Sequence, residues 1–322
     1  MNAPQTLSVR VASRRREAAG ICSFELVDLA GGLLPAFSAG AHIDVHLPGG
    51  VVRSYSLFNS PRERGRYMIC VLNEPASRGG SRAMHEQVAE GGLLRIGVPR
   101  NLFALAPGAA HSLLVAGGIG ITPILSMAEQ LAAAGASFEL HYAVRSRERA
   151  ALLPRIEAAR FAPSVHLHCD DGPVGQRLDI ESLLAGAPSG THLYFCGPAG
   201  FMQAVRGAAQ RHGWPAERVH SESFGGAAAG RDADEPFEVV LARSGRTIRV
   251  ERDCSVTQAL AAAGVQLPTS CEQGVCGTCL VPVLDGTPDH RDMYLTPAEQ
   301  ARNDQFLPCC SRALTPRLVL DL

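Results

Sequence analysis

Cysteines near the C-terminal end are the residues best placed to do chemistry. Cys271, Cys276 and Cys279 stand in the order C-x₄-C-x₂-C, within Cys271-Glu272-Gln273-Gly274-Val275-Cys276-Gly277-Thr278-Cys279, and Cys309-Cys310 follow far downstream. Thiolates at that spacing, joined by a fourth from a distant segment, hold the two irons of a [2Fe–2S] cluster. Gly274 and Gly277 let the loop bend and bring backbone N–H groups close to the sulfurs. Zinc competes for such thiolates, but zinc ribbons use two short Cys-x₂-Cys pairs and this stretch has only one. Disulfides would require a secreted chain, which nothing else in the sequence suggests. Both Cys309 and Cys310 can supply the distant thiolate.

A second set of residues suits a flavin. Arg53-Ser54-Tyr55-Ser56 offers a cation for a phosphate, a flat aromatic partner and a hydroxyl for a polar ring edge. Strand alternation puts Arg53 and Tyr55 on one face. Alone, such a tetrapeptide is an ordinary exposed pair. Ser77-Arg78-Gly79-Gly80-Ser81-Arg82 adds weight, because glycines ahead of a helical stretch free backbone N–H groups for an anion. Gly79, Gly80 and Ser81 are the candidates there, with Ser81 also able to act as N-cap. His85 reads as a helix-surface residue.

The third set suits a dinucleotide. The apolar run from Ser112 leads into Gly117-Gly118-Ile119-Gly120-Ile121-Thr122-Pro123 and then an amphipathic stretch to Ala134. Strand, glycine loop and helix, with Thr122 as N-cap and Pro123 in the first turn, set backbone N–H groups against a pyrophosphate. The loop departs from the full G-x-G-x-x-G fingerprint. Later strands end at Arg145-Ser146, at Asp170-Asp171 and at Cys196-Gly197-Pro198, and a last one runs through His220-Ser221-Glu222-Ser223-Phe224. Asp171 would accept a ribose hydroxyl and repel a 2′-phosphate, whereas Arg145 would welcome one. Cys196 has no basic partner nearby in sequence, so it reads as a packing thiol.

Periodicity supplies the elements that carry these groups. Residues 1–106 alternate apolar and polar positions between Gly and Pro turns, which predicts an antiparallel β-barrel. Residues 107–226 alternate strands with helices, which predicts a parallel sheet. The small, aperiodic stretch from Gly225 to Pro236 reads as a flexible tether, with 227–236 as the linker proper. Residues 237–322 read as a hairpin, a helix stopped by Gly264, the cysteine loop and a closing strand.

Composition narrows the function classes. A chain of 322 residues can bury several cores, and its 30 Lys plus Arg against 31 Asp plus Glu create no global field for nucleic acid. Arg14-Arg15-Arg16 reads as a short solvated face. No stretch reaches the roughly 18 uncharged apolar residues of a membrane span, so no membrane partner and a cytoplasmic location are expected. Ten cysteines fit a reducing compartment, with Cys22, Cys70, Cys169 and Cys254 as buried thiols.

The cysteine run resembles the plant-type ferredoxin signature, which selects Cys309 as fourth ligand beside Cys271, Cys276 and Cys279 and leaves Cys310 as a small buried hydrophobe. Arg53 to Ser56 resembles the flavin motif of the ferredoxin reductase superfamily. Gly118, Gly120, Thr122 and Pro123 match its nicotinamide loop, and Cys196-Gly197-Pro198 and Phe224 match segments near nicotinamide and flavin. Together, and in this order across nearly the whole chain, these motifs resemble the phthalate dioxygenase reductase family, including vanillate O-demethylase reductases. The resemblance implies a multidomain α/β and β protein: an FMN-binding barrel, a nicotinamide-binding domain and a C-terminal β-grasp ferredoxin domain. It implies NADH as donor and passage of electrons through FMN and [2Fe–2S] to a Rieske-type non-haem iron oxygenase, as in demethylation during aromatic catabolism. A cytochrome P450 or another acceptor is the alternative. Cofactors carry this chemistry, so no catalytic acid or base is expected.

Overall fold

Alternation in the N-terminal segment builds β1 (Thr6–Ala18), β2 (Ile21–Asp28), β3 (His42–His46), β4 (Val52–Ser56) and β5 (Tyr67–Leu72); α1 (Gly80–Gln87) and β6 (Leu93–Gly97) complete it. The computed structural model describes residues 6–74, 79–224, 234–269, 274, 277–292 and 294–322. The strands form a six-stranded antiparallel sheet in the order β4-β3-β6-β1-β2-β5. A bridge between Leu57 and Ile69 ties its two edges, making the barrel. Val9, Phe24, Leu26, Ile43, Tyr67 and Ile69 fill the interior from alternate strand positions, and Met84 of α1 plugs it.

Strand-helix units follow: β7 (His111–Gly117), α2 (Ile121–Ala134), β8 (Phe138–Val144), α3 (Leu153–Glu157), β9 (Val165–Cys169), α4 (Ile180–Ala185), β10 (Thr191–Cys196), α5 (Ala199–Arg211) and β11 (Val219–Glu222). All neighbours pair in parallel, in the order β11-β10-β7-β8-β9. α2 is buried along its first half. Its Ser126 hydroxyl donates to the Asn59 carbonyl at 3.0 Å, and its Gln130 accepts from Ala39 N–H at 3.1 Å. Barrel and sheet therefore fold against one helix, and contacts group them as a single unit, Met1–Ser223.

The other unit, Phe224–Leu322, comprises β12 (Phe237–Leu241), β13 (Thr247–Val250), α6 (Val256–Ala262), β14 (Val281–Asp285), β15 (Pro288–Asp289), α7 (Pro297–Gln300), β16 (Gln305–Phe306), β17 (Arg312–Ala313) and β18 (Arg317–Leu320). Its main sheet runs β13-β12-β18-β14-β16, with β12 and β18 parallel, and β15 pairs with β17. A capping box between Ser255 and Gln258 starts α6, whose Val256, Ala259 and Leu260 face the core. Mixed sheet and packed helix give the β-grasp arrangement.

Two expectations change. The tether cannot extend to Pro236, because Asp234 is buried between Arg291 and Arg312 and the Glu235 carbonyl accepts from Arg312 at 3.1 Å. Its residues 225–233 lie outside the described residues. Arg14 is not a solvated cation either: its guanidinium donates to the His85 carbonyl at 2.7 Å and the Val88 carbonyl at 3.4 Å, anchoring the end of α1.

Candidate functional site

β7 and β10 lie side by side, and the chain leaves them in opposite directions, towards β8 and β9 on one side and β11 on the other. The crevice beyond the C-terminal ends of such a pair is where open α/β sheets bind nucleotides. Gly118–Gly120 leave the end of β7, and Cys196-Gly197-Pro198 leave the end of β10. A Cβ on Gly120 would lie 2.7 Å from the Gly197 nitrogen and closer still to the Cys196 carbonyl. The two strand ends thus touch backbone to backbone. Space alone demands this glycine, since its φ is −60°. Gly118 is the opposite case, with open space but a φ of +53°.

Thr122 is not the N-cap. The turn through Gly118–Gly120 already winds towards the helix, so Gly120 takes that position and α2 starts at Ile121. Thr122 is buried and its hydroxyl donates to the Ile119 carbonyl at 3.1 Å, fixing the loop from beneath. Pro123 is buried in the same first turn. Farther along the sheet edge, Asp171 N–H donates to the Arg145 carbonyl at 3.1 Å. This pairing brings Arg145, with Ser146, next to Asp171, and both charged side chains are exposed.

The barrel motif reaches the sheet through Ser56. Its buried hydroxyl donates to Glu222 Oε2 at 2.9 Å. Glu222 stands beside Cys196 in the β10–β11 register, and His42, opposite Ser56 on β3, has Nδ1 3.9 Å from Glu222 Oε1. Burial pushes the Glu222 carboxyl up to about 7, with the Ser56 hydroxyl opposing. Burial, and then the Glu222 charge, push the Cys196 thiol well above its usual range. Cys196 is therefore a protonated packing group. Sequence alone marks Glu222 only as part of the last strand, and the available signal is a single acid within that short strand.

Alternation on β4 turns Ser54 and Ser56 to one face and Arg53 and Tyr55 to the other. Ser54 donates to Asp44 Oδ1 at 2.7 Å, and Arg100 binds the other oxygen of Asp44 at 2.6 Å. Tyr55 leans on the barrel core, where burial, partly offset by Arg53, raises its phenol well above the usual range and keeps it neutral. Arg53 lies along the start of α1: a Cβ on Gly80 would meet its side chain, with Nε at 3.0 Å. Gly79 is the N-cap of α1 at φ +89°, so Ser81 is not. The Ser81 hydroxyl instead accepts from Glu74 N–H at 3.1 Å. A guanidinium beside free N–H groups of a helix start is an anion site. Ser77 and Arg78 lie outside the described residues. His85 is half-buried, with Nε2 2.9 Å from the Val71 carbonyl.

In the second unit Cys279, Cys309 and Cys310 are buried together with Leu295 and Leu307. Cys271 and Cys276 lie outside the described residues. Gly274 at φ +75° gives its N–H to the Cys309 sulfur, and a Cβ there would lie 2.9 Å from Asp292 Cα and strike Cys310. A hydrogen bond with Cys279 lowers the Cys309 thiol, but Cys310 and burial outweigh it and push it up to about 12. Thiols held so ionise when a metal replaces the proton, and an all-sulfur donor set suits iron–sulfur binding. Cys310 has its own partner, the Leu307 carbonyl at 3.6 Å. Phe224 is half-buried where this unit begins.

Comparison with known proteins adds to the geometry. Residues 239–314 match the 2Fe-2S iron-sulfur cluster binding domain family, and 98–219 match the N-terminal domain family of dimethylamine monooxygenase subunit DmmA-like proteins. The chain is 56% identical over 313 residues to a vanillate O-demethylase oxidoreductase of Pseudomonas putida, covering 97% of this chain and 98% of that one. The solved structure of phthalate dioxygenase reductase, described as a modular structure for electron transfer from pyridine nucleotides to [2Fe-2S], superposes with a TM-score of 0.79 at 40% identity over 98% of each chain. An intact type IV self-sufficient cytochrome P450 monooxygenase also matches, at TM-score 0.78 and 42% identity, over 98% of this chain and 41% of the other.

Proposed function

The chain belongs to the phthalate dioxygenase reductase family, which includes the vanillate O-demethylase reductases, and from that premise we propose that it takes electrons from NADH, through FMN and [2Fe–2S], to a Rieske-type oxygenase. As a member it is an electron-transferring flavin and iron–sulfur oxidoreductase, the reductase component of an oxygenase system. The observation that carries the fuller reading is the Ser56–Glu222 bond, which joins the flavin motif to the strand beside the Cys-Gly-Pro end.

The residues divide the labour. Arg53, with the N–H groups at Gly79, Gly80 and Ser81, holds the flavin phosphate, and neutral Tyr55 supplies a flat surface for the ring. Ser54 and Ser56 fix β4 against β3 and β11. Gly118 and Gly120 present N–H groups to the pyrophosphate, while Thr122 and Pro123 hold that loop. Gly197 and Pro198, backed by Cys196, shape the nicotinamide end. Arg145, Ser146 and Asp171 meet the adenosine end, where the carboxylate favours a free 2′-hydroxyl. Cys271, Cys276, Cys279 and Cys309 hold the iron–sulfur cluster. A bound flavin supplies the conversion of a two-electron donor into single electrons for the cluster.

We assign the barrel to 1–106, the nicotinamide domain to 107–226 and the ferredoxin domain to 234–322, with the linker between them. A cytoplasmic site fits the reduced thiols, and no described helix is long and apolar enough to cross a membrane. Anaerobic titration with NADH tests the scheme, followed at flavin and cluster wavelengths and paired with mass analysis of the extracted flavin. Uptake of about three electrons per chain and release of FMN are expected; FAD, or uptake by flavin alone, would sink it. The likeness to the P450 monooxygenase supports a second reading, a haem acceptor. Stopped-flow reoxidation of the reduced chain by a Rieske oxygenase, against a P450, separates the two.

A further inference from the structure

Away from the strand ends just described, β8 and β9 carry a second group of chemistry-bearing side chains. Glu139 and His141 alternate on β8, and parallel pairing sets His141 opposite His166 and Ala143 opposite His168. His141 is 8% exposed, and its ring centroid lies 4.7 Å from that of His166 and 5.3 Å from that of His168. Glu139 and His166 are exposed.

The hydrogen bonds fix the tautomers when both rings are neutral. The Gln176 carbonyl can only accept, so His168 Nδ1, at 3.2 Å, carries its proton. His168 Nε2 is then a bare lone pair, and His141 Nδ1, 3.0 Å away, must donate to it. That leaves His141 Nε2 as a second bare lone pair, 3.4 Å from the carboxylate oxygen Oε2 of Glu139. Two acceptors face one another, one on a buried ring and one on an exposed carboxylate. A cation between them would turn repulsion into attraction.

Distances select the cation. Zinc bonds of about 2.0–2.2 Å to nitrogen and oxygen give a tetrahedral ligand-to-ligand edge of roughly 3.3–3.6 Å. The 3.4 Å gap between Glu139 and His141 already has that length. One ligand atom from each of Glu139, His141 and His166 lies within 4.8 Å of the other two, so a rotation of the exposed His166 ring closes the set. Two imidazoles with one carboxylate favour zinc, copper or nickel over magnesium or calcium.

We propose that Glu139, His141 and His166 form a divalent transition-metal site of the zinc type, with water as the remaining ligand. His168 is its positioning residue: by accepting from Nδ1 it presents Nε2 of His141 to the metal. Through the Gln176 carbonyl the site is also tied to the loop that follows β9 and Asp171.

The test uses the full chain with flavin and cluster in place, washed with chelator and titrated calorimetrically with zinc chloride. Binding of about one zinc per chain is expected, with iron content and visible spectrum unchanged. Glu139→Gln and His166→Gln should each weaken binding by about tenfold or more. Both positions are exposed, so these variants stay informative if His141→Gln fails to fold. His168→Ala should weaken binding and be partly rescued by His168→Gln, whose amide oxygen reaches the Nε2 position and can still accept. His192→Gln, on another stacked histidine pair of the same sheet, should leave zinc affinity unchanged. No zinc binding would mean that a proton fills the gap, and binding indifferent to Glu139→Gln and His166→Gln would place the metal elsewhere; either overturns the proposal.

Discussion

Glu222 is a carboxyl that folding makes harder to ionise. Burial holds its folded value near 7, against about 4.3 in an unfolded chain. The folded state therefore keeps a proton that the unfolded state has lost. The stability this contributes is complete below the unfolded value and disappears as pH rises through the folded one, an effect of up to about 4 kcal/mol. Glu222→Gln stays neutral throughout. Thermal melts from pH 5 to 8 should show wild type losing stability relative to the variant as pH rises; parallel curves would mean the carboxyl titrates normally. Among the thiols, Cys309 receives the Gly274 N–H while Cys310 faces the Leu307 carbonyl. Cys309→Ser should abolish most of the cluster absorbance and bound iron, and Cys310→Ser should retain both. The reverse result in an iron assay would move the fourth ligand to Cys310.

Contact between two strand ends governs the element scale. Because Gly120 abuts backbone atoms of Cys196 and Gly197, an added methyl has no side chain to push aside. Gly120→Ala should destabilise the fold by about 1–3 kcal/mol and raise KM for NADH, as read by calorimetry and steady-state kinetics. An unchanged KM would mean that the loop is not at the nucleotide. Much of this was legible beforehand. Glycines after β7 and the Cys-Gly-Pro run after β10 announce strand ends by local chemistry, and the alternating N-terminal segment announces a barrel. Two features were not. Thr122 looked like a cap because Thr before Pro is a common helix start, yet the preceding glycine turn moved the N-cap back to Gly120. The Ser56–Glu222 bond joins residues far apart in sequence, and only the packing of both layers on α2 brings them together. Local pattern reveals which elements form, while partners across elements appear only with the packing.

At the scale of the molecule, the chain is two units with separate cores, and its iron–sulfur unit is closed by an ion network at its own start. Arg291 is 8% exposed at the side chain and donates to Asp234 at 2.9 Å and to Asp289 at 2.7 Å; Arg312 Nε lies 3.6 Å from Asp234. Hydrogen bonding to Asp234 leads the effects that hold the Arg291 guanidinium firmly charged. Removing one member of such a group strands a buried opposite charge, which costs about 3–5 kcal/mol. Arg291→Met should therefore lower the temperature at which cluster absorbance is lost. Each unit has its own hydrophobic core, so the temperature of flavin release should stay where it is in wild type. A single melt that moved both signals together would show that the units stabilise one another. That outcome would count against a ferredoxin unit that holds its fold by its own core and ion network.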